Sequence, residues 1–203
     1  MLYELTKLSG PLLELATISA GALTWMADAD AGRLLGQWHS EIGELGMVLI
    51  LRSFPTYAEL AAERQRCNLS VNPFNGAGLL QSVQQESYRG FDFLPAVEPR
   101  AYGGLYEFRT YWLKPGGLPP TLAAWQAALQ PAKEYTDHLV INMIALDGPP
   151  RITHLWGFAS IQQRFDLRAK HYAAGLWPPR GAPEQIDHAT SMIALAGEHS
   201  PLR

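Results

Sequence analysis

The sequence predicts an α+β fold: two tandem βαββαβ modules, ferredoxin-like in topology, forming an α/β barrel with antiparallel sheets and outer helices. Three observations carry this expectation. Leu2-Tyr3-Glu4 opens the first half and recurs as Leu105-Tyr106-Glu107 at the start of the second. An arginine-bearing stretch, Tyr57 to Arg64, returns at nearly the same distance behind the second opening as Ile161 to Arg168. The elements between these anchors run in the same order in both halves, as expected of a duplicated unit whose copies bury each other's open sheet face.

Period-two patterning and strand-forming residues mark Leu2–Leu8, Leu34–Glu41, Leu45–Phe54 and Leu79–Ser87 in the first half. They mark Gly104–Trp112, His138–Leu146, Arg151–Ser160 and Ala189–Ala196 in the second. Helical segments follow the first strand of each half, at Pro11–Asp28 and Pro119–Glu134, and Pro131 should kink or end the latter. Tyr57–Cys67 and Ile161–Ala174 are the helices behind the third strands. Gly43 and Asp147-Gly148-Pro149-Pro150 supply the turns between second and third strands. Each half therefore reads strand–helix–strand–strand–helix–strand, a split βαβ unit. Leu94 to Pro99 carries two prolines and reads as a stiff linker, placing the modules at 1–98 and 99–203.

The chain has 203 residues, 47% of them hydrophobic, and a net charge of −3. That is ample for a core, and it lacks the basic excess that a nucleic-acid binder needs to release counterions. Cys67 is the single cysteine, so no intrachain disulfide can form. A reducing compartment is expected, with Cys67 as a small apolar filler. Met1-Leu2-Tyr3-Glu4 has no basic segment ahead of an apolar core, so no secretory leader is expected. Polar residues interrupt Pro11 to Ala27, and the densest apolar run, Met47 to Leu51, is too short to cross a bilayer. A cytoplasmic location without a membrane span follows as the expectation.

Strand alternation sorts side chains into faces. In the fifth strand Tyr106, Phe108, Thr110 and Trp112 share one face and Glu107, Arg109 and Tyr111 the other. The first set is expected to pack under helices, leaving the second between the sheets. In the seventh strand Ile152, His154, Trp156 and Phe158 lie opposite the smaller Thr153, Leu155, Gly157 and Ala159, so His154 and Trp156 are expected inward too. At the matching positions the first half has Thr6 for Arg109, Leu8 for Tyr111, Ile50 for His154 and Arg52 for Trp156.

An enclosed arginine must be paired or await an anion. Arg109 and Arg52 are thus candidates to hold a carboxylate, phosphate or enolate oxygen through the guanidinium fork. His154 is the acid/base candidate and Tyr111 a hydrogen-bond donor. Trp156 and Glu107 complete the candidate ligand set, although Glu107 recurs as Glu4 and so reads first as architecture. The competing readings are a structural ion pair for Arg109 and a satisfied core histidine for His154. Arg164 and Arg168 share a helical face and read as salt-bridged or solvated. No HExxH, GxSxG, P-loop or GxGxxG is present, so neither a metal nor a nucleotide cofactor is indicated.

Several stretches together resemble the NIPSNAP family. These are Trp38 to Leu45, Tyr106-Glu107-Phe108-Arg109-Thr110-Tyr111-Trp112 through Gly116, His154 to Ser160 with Arg164 and Arg168 behind it, Gly175-Leu176-Trp177-Pro178-Pro179, and Ser200-Pro201-Leu202. The first half departs from the pattern at Thr6, Ile50 and Arg52. The resemblance implies a dimeric α/β-barrel fold, a wider group that includes cofactor-free monooxygenases, isomerases, haem-handling enzymes and small-ligand binders. The function expected is binding, or transformation, of a small anionic or enolisable molecule in the cleft between the modules. A non-catalytic scaffold that self-associates as a homo-oligomer is the alternative, and haem on His154 or another inward histidine a third.

Overall fold

In the computed structural model, which describes residues 1–203, eight antiparallel strands close into one barrel. They are β1 (Leu2–Ser9), β2 (Arg33–Ile42), β3 (Met47–Phe54), β4 (Ser82–Gly90), β5 (Leu105–Leu113), β6 (Leu139–Ala145), β7 (Arg151–Phe158) and β8 (Ile186–Ala196). The helices are α1 (Leu15–Ala27), α2 (Tyr57–Leu69), α3 (Leu118–Ala128), α4 (Lys133–Thr136) and α5 (Ile161–Ala173). Around the barrel, β4-β1-β3-β2 is followed by β8-β5-β7-β6. Each half thus contributes one four-stranded sheet in the same order. The registers repeat as well: Glu4 faces Arg52 and Thr6 faces Ile50, while Glu107 faces Trp156 and Arg109 faces His154.

Local chemistry sets the element ends. Thr56 and Ser160 accept hydrogen bonds from the Glu59 and Gln163 amides and start α2 and α5. Two prolines stand in the first turn of α3, where a missing N–H costs nothing. The helix expected over Pro119–Glu134 breaks after Ala128 and resumes as α4, with Pro131 between. The strand expected at Leu79–Ser87 begins later, at Ser82, because the Leu79 and Leu80 amides both donate to the Gly76 carbonyl and form a turn. β8 begins at Ile186, ahead of the expected Ala189.

The faces expected for β5 and β7 are reversed. Tyr106 and Phe108 point into the barrel with Tyr3, Leu5, Trp38, Leu49, Leu51, Tyr88 and Leu155, which fill much of the space between the sheets. Glu107, Arg109, Tyr111, His154 and Trp156 point outward, beneath the helices. The reason is that a closed lumen supplies few polar partners, whereas helices bring long side chains down onto the sheet's outer face. In the first module Glu4, fully buried, accepts from Arg52 at 2.7 Å and from Arg64 at 3.3 Å. Arg52 also donates to Glu63 at 2.8 Å.

The two sheets join over short stretches. β2 pairs with β8 only along Ile193 to Ala196, and β4 with β6 only along Tyr88 to Gly90. The C-terminal residues close one end, where the Leu202 amide donates to the Leu35 carbonyl and the Gln37 amide to the Ser200 hydroxyl. At the other end β4 is no longer paired with β6, nor β8 with β2, and a hollow of about 300 Å³ opens between the sheets. No helix is long and apolar enough to cross a membrane.

Removing one member of a buried ion cluster leaves its partner's charge uncompensated, at a cost of about 3–5 kcal/mol. Glu4→Ala should lower the unfolding free energy by that order in urea titrations. Glu98→Ala, which breaks the exposed Arg33–Glu98 pair, should cost less than about 1 kcal/mol.

Candidate functional site

The polar residues singled out in the second half do assemble, but outside the barrel. Adjacent strands bring Arg109 and His154 opposite each other, on the face covered by α3 and α5. Tyr111 stands edge-on to His154 with ring centroids 4.7 Å apart, and Trp125 of α3 does so at 5.0 Å. Beside them lies an apolar cavity of about 170 Å³, lined by Tyr111, Trp125, Tyr172 and Trp177 together with Thr121 and Ile186. The Trp177-Pro178-Pro179 segment forms one of its walls. Arg52 does not join this site. It lies in the first module, held by Glu4 and Glu63. Trp156 is buried behind the cavity, stacked on Tyr135 at 4.5 Å.

Charge is unevenly distributed between the modules. In the first, Arg52, Arg64 and Arg66 meet Glu4 and Glu63. In the second, the fully buried Glu107 is the carboxylate facing Arg164, Arg109 and, from further off, Arg168. Arg164 grips Glu107 through both carboxylate oxygens, at 2.9 and 2.5 Å, and the Ser191 hydroxyl adds a third bond at 2.9 Å. These bonds hold the Glu107 carboxyl below its usual range despite burial. Arg109 is left 3.7 Å from Glu107, and its buried Nε has no hydrogen-bond partner. Arg168 has no carboxylate within salt-bridge distance and donates to the Tyr172 hydroxyl at 3.0 Å. Both spare cations therefore sit against tyrosines that line the cavity, the Arg109 guanidinium lying 5.2 Å from the Tyr111 ring centre.

His154 has a defined tautomer. An indole N–H can only donate, and Trp156 Nε1 donates to His154 Nδ1 at 2.6 Å. Nδ1 is therefore the acceptor, and Nε2 carries the proton of the neutral ring. That buried Nε2–H has no partner. Complete burial, with Arg109 and Arg168 nearby, pushes the imidazole well below its ordinary pKa. His154, the acid/base candidate, offers in this setting a hydrogen-bond donor at Nε2, while Nδ1 is engaged by Trp156. Burial also raises the Tyr111 phenol, which stays a donor.

Arg168, Tyr172, Trp125 and Trp177 were not among the expected ligand contacts. A signal for Arg168 existed: in the repeat Glu63 aligns with Leu167 and Thr6 with Arg109, so the second copy loses an acid and gains a base while keeping the cation of Arg64 as Arg168. No group of three or more His, Cys, Asp and Glu side chains is arranged to hold a metal ion.

Because the folded imidazole resists protonation and the unfolded one does not, stability contributed by neutral His154 is full above about pH 6.5 and is lost as pH falls below it. The loss should run at about 1.4 kcal/mol per pH unit until the folded ring itself titrates. His154→Gln should flatten this slope, leaving the part due to His39, which burial also depresses. Denaturant titrations between pH 7.5 and 5 measure it. Nitrogen-15 NMR should find His154 as the Nε2–H tautomer, unchanged from pH 8 to 6, and Trp156→Phe should move its pKa upward.

Residues 106–201 match the NIPSNAP family model. Protein Atu4242 from Agrobacterium tumefaciens, a NIPSNAP family protein with unknown function, is 30% identical over 49% of this chain and 99% of that chain, with a TM-score of 0.45. Over nearly the whole chain the fold is that of a proposed monooxygenase from Lactobacillus acidophilus NCFM, with TM-score 0.68 and 11% identity, covering 96% of this chain and 93% of that one. An anthrone oxidase-like protein is also similar, with TM-score 0.66 and 12% identity over 98% and 93% of the two chains. No curated protein matches the sequence. The chain belongs to the NIPSNAP family, and its second module, which carries the uncompensated arginines, is the part that the family model covers.

Proposed function

We propose that the second module binds a small molecule with an apolar, preferably aromatic body and one anionic oxygen: a carboxylate, phenolate or enolate. The observation that carries this reading is the pair of guanidinium groups without a full carboxylate partner, Arg109 and Arg168, beside an apolar cavity. Both guanidinium groups are partly withdrawn from solvent, where a cation gains from a partner, and a ligand oxygen would supply the pairing that Glu4 and Asp147 give Arg64, the first-module counterpart of Arg168. The cavity suits the body. Its volume of about 170 Å³ is near that of engineered apolar cavities that take up benzene. Tyr111 and Tyr172 would pass hydrogen bonds to the oxygen at the cavity wall, with the guanidinium groups behind them.

The site therefore lies under the helices of one module rather than in the cleft between the two. The reading is one of binding and oxyanion stabilisation, with no proton transfer through His154, whose Nδ1 is already engaged by Trp156. Haem fits poorly: His154 is sealed between Tyr111 and Trp125, and the neighbouring cavity is below the usual size for drug-sized ligands.

Benzoate and benzamide share a ring and differ in charge. Benzoate should bind more tightly, by calorimetry or ligand-observed NMR, and lose affinity with added salt. Arg109→Gln and Arg168→Gln should each weaken benzoate about tenfold and leave benzamide unchanged. Equal affinities of the two probes, or benzoate binding indifferent to both substitutions, would overturn the reading.

A further inference from the structure

The hollow between the sheets is a separate space that shares no lining residue with the cavity under the helices. Its walls are Leu5, Leu49, Phe108 and Met192, with Thr110, Thr153, Trp112 and Lys7 among them and the exposed Glu44 at the rim. It exists because β4 and β8 diverge beyond their short pairings with the opposite sheet, so the barrel is filled at one end and open at the other.

A chain of hydroxyls runs from this hollow to the protein's edge, and its direction is fixed. The Tyr88 hydroxyl donates to Glu86 at 2.5 Å. A phenol has one proton, so the contact of 3.0 Å between Tyr88 and Thr153 must have Thr153 as donor. Thr153 also has one proton, so in its contact of 2.9 Å with Thr110 the donor is Thr110. The chain therefore runs Thr110 to Thr153 to Tyr88 to Glu86. Burial and the Glu86 carboxylate push the Tyr88 phenol upward, which keeps its proton in place. At the hollow, Thr110 presents lone pairs and no proton. Lys7, paired with Glu86 at 3.3 Å, retains ammonium protons that no carboxylate takes.

We propose that this hollow is a second binding site, selective for a neutral alcohol on an apolar or aromatic body. The ligand hydroxyl donates to Thr110 Oγ1 and accepts from Lys7, and its body packs against Phe108, Trp112 and Met192. A carboxylate would face the Thr110 lone pairs and the Glu44 carboxylate at the rim, and an ammonium would face Lys7 beside Thr110. The volume of about 300 Å³ lies at the lower end of small-molecule sites.

The test uses the intact chain with benzyl alcohol, benzylamine, benzoate and acetophenone, followed by the NMR signals of the tryptophan indoles. Benzyl alcohol should shift Trp112 and leave Trp125 and Trp177 unmoved, which separates this site from the one under the helices. Benzylamine and benzoate should bind here at least fivefold more weakly. Thr110→Val should weaken benzyl alcohol at least fivefold. Thr190→Phe, at an exposed position on the rim, should abolish the Trp112 response without disturbing the fold. Tyr88→Phe frees the hydroxyl chain to reverse, so the affinity ratio of benzyl alcohol to acetophenone should fall, a result that simple filling of space does not produce. The proposal is overturned if Trp112 stays unmoved at tens of millimolar benzyl alcohol. It also fails if the charged analogues bind as tightly, or if Thr110→Val and Tyr88→Phe both leave the preferences unchanged.

Discussion

A carboxylate buried beneath helices is the constraint on which the rest of this molecule turns. Glu4 and Glu107 occupy equivalent places on the first strand of each module, and neither has solvent to stabilise its charge. In each case a helix behind the third strand lowers an arginine onto it, Arg64 beside the strand-borne Arg52 in the first module and Arg164 in the second. The ion pairs thereby fix how each helix sits on its sheet. Breaking a buried pair costs far more than its formation gains, so the pairs act as specificity devices for helix placement. Arg164 stands one helical turn ahead of the position equivalent to Arg64, and that small shift frees Arg168 from the role its counterpart performs.

From this shift the asymmetry of the two modules follows. In the first module Arg52 and Glu63 neutralise the space under the helices, and Trp25 and Phe74 pack the layer beside it. In the second, Trp156 replaces Arg52 and caps a histidine nitrogen, Leu167 replaces Glu63, and Arg109 is added. The outcome is a half-apolar, half-cationic enclosure. In one copy of the duplicated unit every arginine under the helices has a carboxylate partner, Asp147 of the other copy serving Arg64 beside Glu4. The other carries an imbalance that a ligand would complete.

Barrel closure has its own consequence. Antiparallel sheets that meet along only a few residues leave strand edges free at one end. The aromatic side chains of Trp38, Tyr106 and Phe108 fill the lumen, with Leu202 of the C-terminal segment at the closed end, while the diverging end keeps its hollow and a line of hydroxyls. The molecule thus has two hollows of different character, one beside two arginines under the helices and one between the sheets that offers the Thr110 acceptor beside Lys7.

The amino-acid sequence by itself determined the duplication, the order of all eight strands and the α+β class. Those features reside in local periodicity and in repeated anchors such as Leu2-Tyr3-Glu4 and Leu105-Tyr106-Glu107. It also grouped Arg109 with Tyr111 and His154 with Trp156, because alternation along a strand is a property of the backbone. Which group faces the lumen was decided only by the tertiary structure. Alternation defines two faces and names neither, and both faces of a barrel covered by helices are buried. Tyr106 and Phe108 won the lumen because partners for a charge come from the helices, as Arg164 does for Glu107. The tautomer of His154 and the direction of the Thr110–Thr153–Tyr88–Glu86 chain were likewise invisible in sequence. Each is set by which atom, brought near by pairing of distant strands, has a proton to give.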